Sequence, residues 1–340
     1  MTRHMASVKE ILGITPIKNA DSIELAQIDG WKSVVKKGQF HIGESVVFCE
    51  PDSLLPDRPE FEFMRSKHFR IRTCRLRGTT SQGICFPMDI LPEGSYSLNE
   101  DVSELLGITK YEPPIPVQLR GRVRCPIHRL AVPKTDEVRI QNIPRILEKY
   151  QGMEFNLTEK LDGASASYYN DPETGLHCCS RNVDLAPDFD HKFNGDAYWR
   201  YATEHNIQEI LKQLGNVALQ GELFGEGIQK NKYGLKGLYY RVFNIWDMTN
   251  HRYLDWDIMQ DAVESFGLGK DFLVPYLGKL TLEHTVDDLL SLADGQSTVS
   301  DTLREGIVFR PLQEIEDSNM PDGRLSWKAV SNLFLMKWGE

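Results

Sequence analysis

The sequence has no stretch approaching the ~20 consecutive apolar residues that a helix needs to cross a bilayer. Residues 1–14 lack the apolar block and small-residue cleavage site of a secretory signal. Its six cysteines (Cys49, Cys74, Cys85, Cys125, Cys178, Cys179) show no C-x-x-C spacing, which argues against a zinc ribbon and against a disulfide framework. Internal repeats and low-complexity tracts are missing as well. These absences set an expectation of an intracellular chain in a reducing compartment, cytoplasmic or nuclear, with no membrane partner. What is there is ordinary for a globular protein, 41% apolar and 26% charged residues. A length of 340 residues exceeds one compact core and falls short of three, so two domains are expected.

A formal net charge of −10 argues at first against a nucleic-acid partner. The average hides its distribution. Residues 1–120 hold 15 Lys/Arg against 16 Asp/Glu, and the remainder 24 against 33. Two windows, 63–88 and 113–135, contain no acid at all. Within them Arg70/Arg72, Arg75/Arg77 and Arg120/Arg122/Arg124 repeat with period two, the spacing of one strand face. The change of parity between Arg72 and Arg75 calls for a bulge or turn near Thr73-Cys74. Basic rows suit phosphate backbones, so Arg70, Arg72, Arg75 and Arg77 are the expected nucleic-acid contacts. The other reading of such rows is a solvated face paired with acids from elsewhere in the fold.

Short β segments at 23–26, 32–35 and 43–48 alternate with turn signals at Asp29-Gly30 and Lys37-Gly38, and Pro51 closes the third. That pattern reads as a small all-β barrel, of which the OB-fold is one kind used for oligonucleotides. Pro113-Pro114-Ile115-Pro116 is the clearest linker signal, which divides the chain into residues 1–116 and 117–340. Beyond it, apolar spacing predicts an amphipathic helix over 196–214 closed by Gly215, a second over 255–266 stopped by Gly267, and a third over 283–293. Strands are expected at 165–169, 217–219, 239–246 and 306–310. The second part therefore reads as α+β built on antiparallel sheet.

The first chemical signal is Lys160-Leu161-Asp162-Gly163. K-x-D-G arises by chance in roughly one chain of this length in a dozen, and alone it equally describes a turn with a surface lysine. A lysine amine held neutral by burial or by neighbouring cations attacks a phosphorus or carbonyl centre. An Asp-Gly turn directly behind it would fix its direction.

Together with the motifs downstream of it, taken in order, this segment resembles the covalent nucleotidyltransferase superfamily of polynucleotide ligases and mRNA capping enzymes. Lys160 matches the lysine that becomes adenylylated. Ser180-Arg181-Asn182 is similar to the ribose and phosphate contact motif, and Gly221-Glu222-Leu223-Phe224-Gly225 to the motif whose glutamate lies near the ribose and metal waters. Tyr240-Arg241-Val242-Phe243-Asn244-Ile245 resembles the strand whose aromatic stacks on adenine. Arg304-Glu305-Gly306-Ile307-Val308 resembles the E-G-x-V motif, and Ser326-Trp327-Lys328 the final lysine motif. The resemblance implies ATP with Mg2+ or Mn2+ as cofactors. It places Arg181 and Lys328 on the α-phosphate, where they would stabilise growing negative charge, and Asp162, Glu222 and Glu305 around the metal through its waters. Phe243 would offer a stacking surface worth ~1–3 kcal/mol per base. Read singly, Phe243 is equally a core residue, Glu305-Gly306 a turn, Lys328 a surface lysine and Arg181 the partner of a nearby acid.

Relatives of the DNA ligase and capping type resemble each other in carrying an OB domain after the last motif; here 12 residues follow Lys328, so none is expected there. The opening Ile14-Thr15-Pro16-Ile17-Lys18-Asn19-Ala20-Asp21-Ser22-Ile23-Glu24-Leu25-Ala26 instead resembles OB-type RNA-binding modules, as do Arg70-Ile71-Arg72-Thr73 and Ser81-Gln82-Gly83. With Thr135-Asp136-Glu137-Val138-Arg139-Ile140-Gln141-Asn142, the arrangement resembles the RNA ligase 5 family over nearly the whole chain. That resemblance implies an N-terminal OB barrel followed by an adenylyltransferase domain. It further implies sealing of 3′-OH/5′-phosphate nicks in duplex RNA or RNA/DNA hybrid by a monomer, with ribose at the 3′-OH end. Glu159 and Arg139 join the expected nucleotide contacts on the same ground. One departure stands out: relatives often carry two lysines as K-x-K in the last motif, whereas Lys328-Ala329-Val330 has one, with Lys337 nine residues on. A capping-type guanylyltransferase and a non-catalytic RNA-binding protein are the alternatives.

Overall fold

The computed structural model describes residues 3–112, 122–127, 130, 132–187 and 196–339. The expected boundary at 116/117, its proline-rich break, Arg120 and Arg129 lie outside the described residues.

Ten strands build the first part: β1 (Ala6–Glu10), β2 (Gly13–Pro16), β3 (Ile23–Ile28), β4 (Trp31–Lys36), β5 (Ser45–Cys49), β6 (Ser53–Leu54), β7 (Cys74–Leu76), β8 (Thr79–Ser81), β9 (Ile84–Pro87) and β10 (Thr109–Lys110). They are joined by the short helix α1 (Ser103–Leu106). β5 lies between β1 and β9, and β2, β3 and β4 form a meander. The alternation in β4, with Trp31, Ser33 and Val35 buried, is what a half-buried strand requires. Phe48 of β5 packs with Trp31, ring centroids 6.3 Å apart.

The arginine rows differ from the strand faces that period-two spacing predicts. Arg70 and Arg72 precede β7, Arg75 lies within it, and Arg77 occupies the β7–β8 turn with φ of 49°. Arg70 is half-buried, paired with Asp52 at 2.7 Å and stacked on Tyr111 at 4.0 Å, so it braces the barrel. Arg72, Arg75 and Arg77 are exposed. In the second window, Arg122 pairs with Asp196 at 2.5 Å and Arg124 with Asp184 at 3.8 Å. Both belong to the reading in which acids from elsewhere neutralise the row.

The second part contributes β11 (Val123–Pro126), β12 (Val138–Arg139), β13 (Glu154–Lys160), β14 (Ala164–Asp171), β15 (Gly175–Ser180), β16 (Val183–Leu185), β17 (Val217–Gly225), β18 (Leu238–Asp247), β19 (Arg252–Tyr253), β20 (Tyr276–Thr281), β21 (Gly306–Pro311) and β22 (Trp327–Val330). They make two sheets. One runs β11-β16-β15-β14-β17-β18-β19, the other β12-β22-β21-β13-β20. The helices are α2 (Ile146–Lys149), α3 (Ala197–Glu204), α4 (Ile207–Leu214), α5 (Trp256–Ser265), α6 (Val286–Ala293) and α7 (Asn332–Trp338). The expected helix over 196–214 is two helices, because Asn206 takes the left-handed conformation (φ 52°) and breaks the ladder. Asp196 caps α3 by accepting the Trp199 N–H, and Gly215 ends α4. α3, α4 and α5 cover the seven-stranded sheet; α6 covers the five-stranded one over Phe155, Phe309 and Trp327. Among the described residues no helix is long and apolar enough to cross a membrane.

The barrel docks on the segment that leads into the five-stranded sheet. Gly30, in the β3–β4 turn, donates its N–H to the Gln141 carbonyl at 3.1 Å, and a Cβ at this position would sit 2.6 Å from the Gln141 Cα. Only glycine permits that approach. Beside it, the Trp31 indole donates to Asn142 Oδ1 at 2.7 Å while Asn142 Nδ2 donates to Glu50 at 3.1 Å. Asn142→Ala strands a buried indole N–H and is expected to lower stability by about 1–3 kcal/mol. Urea unfolding should report a lower midpoint at unchanged slope, and an unchanged midpoint would count against this dock as a stabilising contact.

Candidate active site

Lys160 is the last residue of β13, and register decides what it meets. It pairs with Gly306 of β21, which places Glu305 beside it, and Lys160 Nζ lies 2.6 Å from Glu305 Oε2. Across β21, Val308 pairs with Lys328 of β22, and Lys328 pairs in turn with Arg139 of the parallel neighbour β12. Four adjacent strands thus bring together residues as far apart in sequence as 139 and 328.

The chain then crosses to the other sheet through Leu161, Asp162 and Gly163 and enters β14. There Ser165 pairs with Glu222 of β17, so a second carboxylate arrives from the seven-stranded sheet. Gly163 is forced by crowding: a Cβ would lie 2.4 Å from the Leu223 carbonyl oxygen and 3.1 Å from Glu222 Cγ. The turn is held by partners that spacing did not single out. Tyr233 Oη accepts the Asp162 N–H at 2.7 Å, Lys232 Nζ pairs with Asp162 Oδ1 at 3.0 Å, and Gln229 Nε2 donates to the Gly163 carbonyl at 3.1 Å.

The remaining expected residues have particular settings. Glu159, fully buried, accepts from Ser297 Oγ (2.5 Å) and from Thr298 N (2.8 Å) and Oγ1 (2.6 Å); it anchors the loop before Glu305. Arg181, in the β15–β16 turn, pairs with Asp136 and is half-exposed. Arg139 pairs with Asp52 of the barrel at 3.5 Å and stacks over Trp31 at 5.9 Å, while its buried Nη1 makes no hydrogen bond. Phe243 is packed in part against the core of the seven-stranded sheet, and its carbonyl accepts from Arg310. Lys337 reaches Thr302 Oγ1 at 3.2 Å and stacks on Trp338 at 5.1 Å. Lys232 and Tyr233 carried no separate sequence signal, since each owes its place to a turn rather than to a repeat.

Two lysines with opposite behaviour share this site. Burial works against charge on Lys160, but Glu305, Glu222 and Asp162 outweigh it and hold its pKa above the usual lysine value. Burial, with the like charges of Lys160 and Arg139, brings Lys328 down to about 7. Burial also raises Glu222 to about 8, against the pull of Lys160 and helped by Glu305 and Asp162. The cluster sets Asp162, Glu222 and Glu305 around Lys160, with Lys328 close enough to feel its charge. Among the described residues no group of three or more histidine, cysteine or carboxylate side chains is placed to hold a metal ion directly.

Comparison with known proteins decides the assignment. An RNA ligase family matches residues 153–330, and an OB-fold domain matches residues 5–88. The chain belongs to the RNA ligase family. The solved structures agree: the Naegleria gruberi RNA ligase with PPi is 37% identical with a TM-score of 0.85, covering 98% of each chain. Its lysine-to-alanine variant with ATP and Mn matches at 37% identity and TM-score 0.85, over 97% of this chain and 98% of that one. A lysine-to-methionine variant with AMP and Mn matches at 37% and 0.86, over 98% of each. No curated protein sequence matches at comparable significance. This RNA ligase is thus an enzyme with an N-terminal OB-fold and a sheet-rich α+β second domain, as the motif series implies.

Two measurements test the geometry. In metal-free protein, 15N-detected titration of the lysine Nζ atoms should show Lys328 losing its proton near pH 7 while Lys160 keeps its proton beyond the ordinary lysine range; the reverse order would contradict the described charge balance. Gly163→Ala should cost about 1–3 kcal/mol through overpacking against a backbone ladder that cannot retreat, read as a lowered melting temperature. A melt that does not move would mean the turn has room to spare.

Proposed function

We propose that this RNA ligase is ATP-dependent and seals 3′-OH/5′-phosphate nicks in duplex RNA or RNA/DNA hybrid through a lysyl-AMP at Lys160, with RNA on the 3′-OH side. The observation that carries the reading is Lys160 itself, half-buried where the two sheets meet, 2.6 Å from Glu305 and among the charges of Glu222 and Asp162. The relatives bound to ATP, AMP and PPi support the nucleotide, and their manganese supports a divalent cation.

The residues present fit both groups. Arg139 Nη1 is a buried donor without a hydrogen bond, and it lies on the strand beside Lys328, a suitable pair for a phosphate. Glu222, raised to about 8 by burial and by the neighbouring Glu305 and Asp162, would ionise more readily beside an added cation. A divalent ion held by Glu222, Glu305 and Asp162 through its waters would supply the positive charge that loosens their grip on the Lys160 proton.

Lys160 surrenders a proton, for which Glu305 is the acceptor in reach, and its neutral Nζ attacks the α-phosphorus of ATP. The phosphoramidate bond forms as the bond to pyrophosphate breaks. Lys328 and Arg139 stabilise the growing charge on the α-phosphate oxygens, and Arg181 reaches the same region once it exchanges Asp136 for phosphate. The 5′-phosphate of the nick then takes AMP from Lys160, and the 3′-OH displaces AMP to form the phosphodiester. Arg72, Arg75 and Arg77 hold the duplex by its backbone; Arg70, committed to Asp52, serves the barrel.

Purified protein with α-labelled ATP and Mg2+ or Mn2+ should acquire acid-labile, base-stable label that disappears in Lys160→Ala. Label from GTP alone would turn the reading toward guanylyl transfer, and no label from either toward a binding protein. Replacing the 3′-terminal ribose of the nick with deoxyribose should slow sealing, and equal rates would sink the RNA requirement. The triple replacement of Arg72, Arg75 and Arg77 by alanine should weaken sealing and flatten its salt dependence while leaving lysine adenylylation intact. An equal loss in both steps would move these arginines out of the nucleic-acid interface.

A further inference from the structure

The three contacts on the Asp162-Gly163 turn come from one five-residue segment, 229–233, that no motif covers. Gln229, Lys230 and Asn231 have φ of 44°, 61° and 47°, three successive non-glycine residues in the left-handed region. Such conformations are uncommon, and they persist only where surroundings over-determine them. Here the surroundings do so. Asn231 exchanges side-chain bonds with Leu235, donating to its carbonyl at 2.8 Å and accepting its N–H at 3.1 Å, and the Asn231 N–H bonds the Ile228 carbonyl at 2.6 Å.

The strained turn delivers the next two residues to the nucleophile loop. Lys232, 5% exposed, lies over the Phe334 ring at 4.9 Å and meets Asp162 Oδ1. Tyr233, edge-on to Phe224 with centroids 5.5 Å apart, meets the Asp162 N–H. Gln229 closes the set on the Gly163 carbonyl. One side chain and two backbone groups of the loop that follows Lys160 are therefore fixed from a single element.

We propose that residues 229–233 are a positioning clamp for the nucleophile, in which Lys232 holds the Asp162 carboxylate and Tyr233 the Asp162 N–H, so that Lys160 leaves β13 in the direction attack requires. The proposal rests on the assignment of Lys160 as the adenylylated residue. Neither Lys232 nor Tyr233 is a catalytic residue in this account; both act through Asp162. A clamp of this kind matters when Lys160 is the attacking group and much less when AMP already sits on the nick.

Two small substitutions test it: Tyr233→Phe, which removes one oxygen, and Lys232→Met, which keeps the stem over Phe334. Single-turnover adenylylation with α-labelled ATP should slow by roughly 10- to 100-fold in each, with the apparent KM for ATP moving less than about threefold, the signature of misplacement rather than lost binding. Lys232→Arg should recover most of the rate. Sealing of a pre-adenylylated nick should stay within about threefold of wild type. Adenylylation at the wild-type rate in both variants overturns the clamp, and so does an equal fall in adenylylation and in sealing of the pre-adenylylated nick, which marks a structural role. A wild-type protein that takes no label overturns the Lys160 assignment, and the clamp with it.

Discussion

The crossing from β13 to β14 is the constraint on which the rest of this molecule depends. Two sheets of different size must meet, and the chain makes the passage in three residues, Leu161 to Gly163. A passage so short leaves the preceding lysine no choice of location. It has to lie where the five-stranded sheet ends and the seven-stranded sheet begins, which is also where Glu305 and Glu222 arrive on their own strands. Backbone crowding against β17 admits only glycine at 163, directly after the passage.

Charge follows from that geometry. Three carboxylates and two lysines collect in a space from which burial has removed most solvent, so each ionisation depends on the others. Burial and its cationic neighbours draw Lys328 down while the surrounding acids hold Lys160 up, so two lysines in one cluster titrate far apart. Arg72, Arg75 and Arg77 stay exposed on the barrel, outside this cluster.

Much of the site was legible in the chain because it is written in short contiguous motifs. Lys160, Glu222, Glu305 and Lys328 each sit in a run whose order along the sequence is diagnostic, and strand register then assembles them. The parts that escaped notice are those whose partners are set by turns. Lys232 reads as one lysine among Lys230, Lys232 and Lys236, and nothing in spacing announces that a left-handed stretch will bury it on Asp162. Arg70 looked identical to Arg72 until Asp52 and Tyr111, 18 residues before and 41 after, turned out to enclose it. The split at Asn206 was hidden because the apolar pattern continues on both sides of a residue whose backbone alone reverses direction.

The docking of Gly30 and Trp31 on Gln141 and Asn142 has a bearing on modularity. Trp31 and Asp52, both from the barrel, enclose Arg139, which stands next to Lys328 in the catalytic sheet. The barrel therefore forms one wall of the space around Arg139 and Lys328. Grafting a different recognition module in its place, as is done with proteins whose domains are joined by a free tether, would have to reproduce that wall before the transplanted half could direct the enzyme to a new RNA.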